Sequence, residues 1–283
     1  MAATKSIVLI TGANAGLGFE VVKALLQSPK AYTILLSGRS IDKAQAAVQS
    51  ARTEFPSSHS NLEAIQLDLE NDDSMEKAYG DIANKHGHLD VLVNNAGMWK
   101  TSHFPLASTE SELGGQFDPE WDSKHMSMRE MWNKSWNVNT TGTQIVTYTF
   151  VPLLLKTASP RILFVTSGTS TLTGTEDSSL PWNKAPAKGW PKQGFSIPAY
   201  RSSKTGMNMM MREWCRHLRE DGVKVCCVSP GYLATGLGGN REANQGRGAI
   251  DPSIGGKLIR AVLDGERDDD DGMVIRANDV QPW

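Results

Sequence analysis

The sequence predicts an α/β fold: a doubly wound parallel sheet of about seven strands, helices on both faces, in one domain spanning residues 1–283. Three observations carry that expectation. Short apolar runs alternate with amphipathic stretches through the first hundred residues. The runs are continuous rather than alternating in polarity, as strands buried on both faces are. The rhythm resumes after each longer insertion, with no internal repeat and no linker that would split off a second domain.

"SIVLI" (6–10) is a short run rich in branched residues and reads as a buried strand. "GLGFEVVKALLQS" (16–28) follows with Phe19, Val22, Leu25 and Leu26 at helical spacing. "YTILLSG" (32–38) is a second strand, and the Ala-rich "DKAQAAVQSARTEF" (42–55) a helix ended by Pro56. "LEAIQLD" (62–68), "DDSMEKAYGDIANKHG" (72–87) and "LDVLVNNAG" (89–97) continue as strand, helix and strand. A single helix is expected over 127–156, a strand at "RILFVTS" (161–167), and a helix carrying Tyr200 and Lys204 to about Glu220. "VKVCCVS" (223–229), "SIGGKLIRAVLDG" (253–265) and "GMVI" (272–275) close the series as strand, helix and short strand. The run Asp268–Asp271 reads as a solvated turn, because it lacks the alternating ligand spacing of a calcium loop.

Composition narrows the function classes. Hydrophobic content of 39% and charged content of 21% are those of a soluble globular protein. A formal net charge of -2 gives no field that favours nucleic acid or an anionic membrane. No apolar run reaches the length of a membrane span, and the start lacks the apolar core of a signal peptide. Three cysteines without a CxxC pair fit a reducing, cytoplasmic location. The six histidines are scattered without a metal-binding pair, so no metal site is expected.

The chemistry gathers at the strand ends. The first strand runs into "TGANAGLG", which sets Gly12, Gly16 and Gly18 between a strand and a helix. A phosphate needs close backbone approach and the positive end of a helix dipole at that place. The spacing is GxxxGxG, not the GxGxxG of the common dinucleotide fingerprint. The second strand ends in "LSGRS", with Arg39 where an NAD site carries an acidic residue. A guanidinium matches a 2′-phosphate, and Ser37 and Ser40 flank it, so NADP(H) is favoured over NAD(H). Asp68 ends the third strand, within reach of an adenine amino group, and Asn95 follows the fourth. Tyr200 and Lys204 stand four residues apart on a helix and so share one face.

Together "TGANAGLG", "NNAG", "NVNTTGT", "FVTSGTS", "YRSSK" and "SPGYLATG", in that order, resemble the short-chain dehydrogenase/reductase family over nearly the whole chain, with a further likeness to carbonyl-reductase-like members from filamentous fungi. The resemblance implies a Rossmann-type domain and a role for individual residues. Tyr200 would be the general acid that protonates a carbonyl oxygen. Lys204 would lower the phenol's pKa and hold the nicotinamide ribose. Ser167 would bind the substrate oxygen, and Asn139 would hold a water linking Lys204 to solvent. The cofactor would be bound by Gly12, Asn14, Gly16, Leu17, Gly18, Arg39, Asp68, Leu69, Asn95, Ala96, Gly97, Tyr200, Lys204, Pro230, Gly231, Leu233 and Thr235. A free phenol titrates near pKa ~10, too high for easy exchange at neutral pH, and a nearby ammonium lowers it. The chain departs from the family's "VNISS" at Phe164 and Thr166. Ser170 competes with Ser167 for the serine role, and Asn137 with Asn139 for the asparagine role.

Substrate recognition falls to the insertions near 98–125 and 172–197, the second carrying Trp182, Trp190 and Phe195, and to a glycine-rich lid near 232–250. The aromatic residues suit a bulky or flat substrate, or they staple the loop to the body. The expected activity is NADPH-dependent reduction of a ketone or aldehyde. Oxidation of a secondary alcohol and a non-redox or regulatory use of the fold are the alternatives. The partners are a small carbonyl or alcohol substrate and no nucleic acid or membrane. The resemblance accommodates a homodimer through the two long helices, or a monomer if the loop before Tyr200 covers them.

Overall fold

The computed structural model describes residues 5–97, 127–180, 183–190, 197–237 and 241–283. Strands β1 (Ser6–Ile10), β2 (Tyr32–Gly38), β3 (Asn61–Gln66), β4 (Val91–Asn94), β5 (Arg161–Val165), β6 (Lys224–Val228) and β7 (Val274–Ile275) form one sheet in the order β3-β2-β1-β4-β5-β6-β7. Every pairing is parallel. The order reverses between β1 and β4, and there an open α/β sheet leaves a crevice beyond its strand ends.

Helices α1 (Gly16–Leu26), α2 (Ile41–Glu54), α3 (Asp72–His86), α4 (Met128–Trp136), α5 (Thr143–Leu154), α6 (Pro198–His217), α7 (Arg241–Gly246) and α8 (Pro252–Leu263) complete the chain. Alternate strand residues feed two cores. Val8, Ile10, Ile34, Leu36 and Val93 meet α1, α2 and α8 on one face. Leu9, Leu35, Leu92, Phe164 and Cys227 meet α3, α5 and α6 on the other. This two-sided burial is why the strand sequences show no polar alternation. Local signals set the helix starts: Ser40 caps α2, Asn71 caps α3, Ser127 forms a capping box with Glu130 on α4, and Asp251 caps α8.

Three expectations need correction. The single helix over 127–156 is instead α4 and α5 joined by a π-helical stretch, Asn137–Gly142. At its end Gly142 lies so close to the Leu69 carbonyl that a Cβ there would sit 2.1 Å from the oxygen. The Asp268–Asp271 turn is not merely solvated: Asp268 pairs with Arg161, Asp270 with Arg267, and Asp271 accepts the Val225 amide. The ends of β3, β4, β5 and β6 were also drawn one to three residues long, because the residues just past them still look like strand. Among the described residues, no helix is long and apolar enough to cross a membrane.

Gly142→Ala is expected to destabilise the fold by about 1–3 kcal/mol, since the new Cβ meets backbone that cannot rotate away. Urea unfolding of the variant measures that loss; wild-type stability would contradict the close approach.

Candidate active site

The site is built from the loops that leave β1, β2, β4, β5 and β6. After β1, Gly12 and Gly16 adopt left-handed backbone, φ 61 and 57, which only glycine enters without strain. The Thr11 hydroxyl accepts from the amides of Asn95, at 3.0 Å, and Ala96, at 2.9 Å, tying the turn to the end of β4. The Asn95 side chain donates to the carbonyls of Thr11 and Gly12. A Cβ on Gly18 would lie 2.5 Å from that same amide nitrogen. Asn95 and Ala96 therefore shape the glycine turn. No side chain caps α1, and its first turn holds no acidic residue, so its N-terminal amides stand ready for an anion.

The other expected cofactor residues border this turn. Asn14 lies against Gly38, where a Cβ would meet its Oδ1 at 2.8 Å. Thr235 sits beside Gly16, while Leu17, Pro230 and Leu233 converge on Gly255 of α8. Gly231 takes a left-handed φ of 93 at the exit from β6. Asp68 is half-buried, and one carboxylate oxygen accepts the Glu70 amide at 3.0 Å. The Leu69 side chain belongs to the core, and its carbonyl faces the π-helical stretch. Arg39 is exposed at the end of β2. Ser37 does not flank it usefully: its hydroxyl is fully buried and donates to Ile10 O at 3.0 Å. Ser40 is engaged as the α2 cap.

The reactive residues face this crevice from α6, β5 and the π-helical stretch. Tyr200 and Lys204 are both buried on α6, 6% and 3% exposed, on the shared face that their spacing predicts. Burial pushes the Tyr200 phenol above its ordinary value, and a hydrogen bond with Ser167 opposes that rise. Burial pulls Lys204 down to about 8, opposed by its proximity to Cys227. The Lys204 ammonium donates to Val165 O at 2.8 Å and approaches Met207 Sδ at 3.7 Å. The ammonium is thus turned to the end of β5. At pH 7 both groups carry their protons.

Gly97 closes the arrangement. A Cβ on it would sit 3.2 Å from Lys204 Nζ and 3.3 Å from Asn139 Oδ1. Asn139 is fully buried, and its Nδ2 donates to Ser203 at 3.0 Å, whereas Asn137 is exposed and bonds Glu70. The π-helical turn thus aims Asn139 inward, as such turns do at functional sites. The two serines also separate. Ser167 is part-exposed and bonds Tyr200; Ser170 is buried and bonds Thr166 and Asn208. The departures at 164 and 166 are structural: Phe164 fills the core, and the Thr166 hydroxyl donates to Asn208 at 2.6 Å.

Sequence reading missed Thr11, Ser203 and Asn208. Thr11 carries a signal, since it precedes the first glycine of the turn; nothing in sequence pairs Asn208 with residue 166. Trp190 is 79% exposed, while Trp182, Phe195 and the 98–125 insertion lie outside the described residues. A separate open groove of about 490 Å³ lies between α2 and α3 and shares no residue with this site. Its Glu63 is already paired with Lys85 and His86, so the convergent chemistry is at the strand ends.

The features fit a dinucleotide: two left-handed glycines, an uncapped helix start, and a side-chain-free surface at Gly97 beside an ammonium. Comparison with known proteins agrees in kind. The family model described as short chain dehydrogenase matches residues 6–179 and 189–246. The short-chain dehydrogenase/reductase tropE of Talaromyces stipitatus is 42% identical over 99% of this chain and 98% of its own. The corresponding eupG protein of a Phoma species is 41% identical over 100% and 99%. The fold of an NADPH-bound carbonyl reductase from chicken fatty liver superposes with TM-score 0.75 at 21% identity, covering 99% of this chain and 100% of that one.

Ser170→Ala is expected to cost about 1–3 kcal/mol of stability, by removing a buried hydroxyl that bonds Thr166, Asn208 and Ser167 O and leaving the Asn208 amide nitrogen only the Ser170 carbonyl at 3.3 Å. Ser167→Ala, at a part-exposed position, is expected to lose less. Denaturant titration of the two variants checks the order.

Proposed function

The chain belongs to the short-chain dehydrogenase family of oxidoreductases, and on that premise we propose that it reduces a ketone or aldehyde with NADPH, using Tyr200 as the general acid. The observation that carries the reading is the buried Tyr200 phenol hydrogen-bonded to Ser167 at the end of β5. When bound, NADPH supplies the hydride that reduces the carbonyl carbon and leaves as NADP+. Ser167 donates to the carbonyl oxygen and stabilises the negative charge that grows there. Tyr200 gives that oxygen its proton, and burial keeps the phenol in the protonated form this step needs. Lys204 would hold the ribose, and Asn139, which lies beside it at Gly97, would hold a water that links Lys204 to solvent. The glycine turn and the α1 amides bind the diphosphate, Asp68 and Asn95 border the adenine end, and Leu69, Ala96, Pro230, Gly231, Leu233 and Thr235 supply the walls. Arg39 selects the 2′-phosphate by charge and planar shape. The aromatic loop that includes Trp190 suits a bulky or aromatic carbonyl compound.

Tyr200→Phe is expected to lower kcat/KM by roughly 10²–10⁴-fold with NADPH affinity kept. Initial rates and a binding titration of the same preparation check this, and an unimpaired variant removes Tyr200 from the mechanism. In the same assay, Arg39→Ser is expected to raise the KM for NADPH by roughly 10–100-fold and leave that for NADH unchanged, the size of one lost charge-assisted contact. Equal effects on both cofactors would contradict the selector role.

A further inference from the structure

The segment after β7, Arg276–Trp283, doubles back onto the loop that leaves β5. Ile275 forms an antiparallel bridge with Val280, and the Gln281 amide nitrogen of the backbone donates to Val274 O at 2.8 Å. Trp283 O accepts from the Thr173 amide at 2.7 Å and the Thr171 hydroxyl at 3.1 Å. The Arg212 guanidinium lies over the Trp283 ring, 5.5 Å from its centre. Between these anchors Gln281, 1% exposed, inserts its side chain into the serine turn. Its Nε2 donates to Ser167 O at 3.2 Å and approaches Ser170 Oγ at 3.4 Å. A carbonyl oxygen can only accept, so the atom facing it is the amide nitrogen.

From this geometry we propose that Gln281 is a positioning residue for Ser167, fixing the turn from which the Ser167 hydroxyl meets Tyr200. The inference rests on the reading of Ser167 as the donor to the substrate oxygen. Two facts separate it from ordinary packing. The Gln281 Oε1 is buried with no hydrogen-bond partner among the described residues. A buried amide left half-satisfied is a poor choice for stability, and an apolar side chain of the same length would avoid the unpaired acceptor. The contact is also not needed to satisfy Ser167 O, which already accepts the Ser170 amide at 3.1 Å and the Ser170 hydroxyl at 2.6 Å. What the third donor adds is direction. From α6, Arg201 Nε holds Thr169 O at 3.0 Å and Thr205 Oγ1 holds Ser170 O at 2.9 Å. Gln281 holds the turn from the opposite end of the chain, at the residue whose hydroxyl reacts.

The test compares wild type with Gln281→Met, which keeps the length and removes the donor, and with Gln281→Leu as a second apolar variant. Each is made in the wild-type and the Ser167→Ala backgrounds. Hydrogen exchange at the amides of 169–171 is expected to speed up by roughly 10-fold or more, with exchange in β1 unchanged. The thermal midpoint is expected not to fall. With NADPH and an aromatic ketone, kcat is expected to fall by roughly 10–100-fold at unchanged KM for NADPH. In the Ser167→Ala background the same substitution is expected to add no further loss, because the two residues act as one unit. Unchanged exchange in the turn, exchange raised uniformly across the sheet, or an equal loss of kcat in both backgrounds would each overturn the proposal. If wild type reduces no carbonyl compound, the functional reading fails instead, and the exchange comparison alone decides whether Gln281 holds the turn.

Discussion

In a parallel sheet every strand ends on one edge, and the pairings of Ile10 with Val93, Asn94 with Phe164 and Val165 with Val228 bring those ends level here. The consequence is chemical. At the ends of β1, β4 and β5, side chains take over part of the backbone hydrogen bonding. Thr11 does this for Asn95 and Ala96, Asn95 for Thr11 and Gly12, and Lys204 for Val165. The same edge that uses these donors and acceptors is the place where a ligand can enter.

The energetic tension lies in Lys204. An ammonium at 3% exposure is strongly disfavoured by desolvation, and its pKa of about 8 records that. Among the described residues no carboxylate bonds it to offset the burial; a carbonyl at 2.8 Å and a thioether at 3.7 Å hold it instead. A fold selected for stability alone would place an apolar residue there. That cost falls where Gly97, without a Cβ, lets Lys204 and Asn139 approach closely and where Asn139 lies on the π-helical stretch, the kind of cost that clusters at functional sites. Burial acts on Tyr200 in the opposite sense, keeping the phenol protonated and available as an acid.

Much of this was legible in the residues. Strands buried on two faces write themselves as continuous apolar runs, so β1, β2 and β4 to β6 could be placed, and the glycine turn stood out by its position after the first of them. Tyr200 and Lys204 were legible because a helix forces the i, i+4 pair onto one face. The break at Asn137–Gly142 was not legible, since "NVNTTGT" has no proline to announce it and the close approach of Gly142 to Leu69 is a tertiary contact. The same holds for Ser37, whose hydroxyl looks like a phosphate ligand until β1 is seen beside it. The orientation of Lys204 depends on the Val165 carbonyl, and the return of Gln281 to the Ser167 turn depends on tertiary contact alone.

The central claim is that the strand-end site passes a hydride from NADPH to a carbonyl carbon while Tyr200 protonates the oxygen. The most direct measurement is product analysis after incubation with NADPH deuterated at the nicotinamide C4 and an aromatic ketone. The account expects one deuterium on the carbinol carbon of the alcohol, on one face only, in wild type. Tight NADPH binding with no deuterium in any product, across ketones and aldehydes of different size, would contradict it.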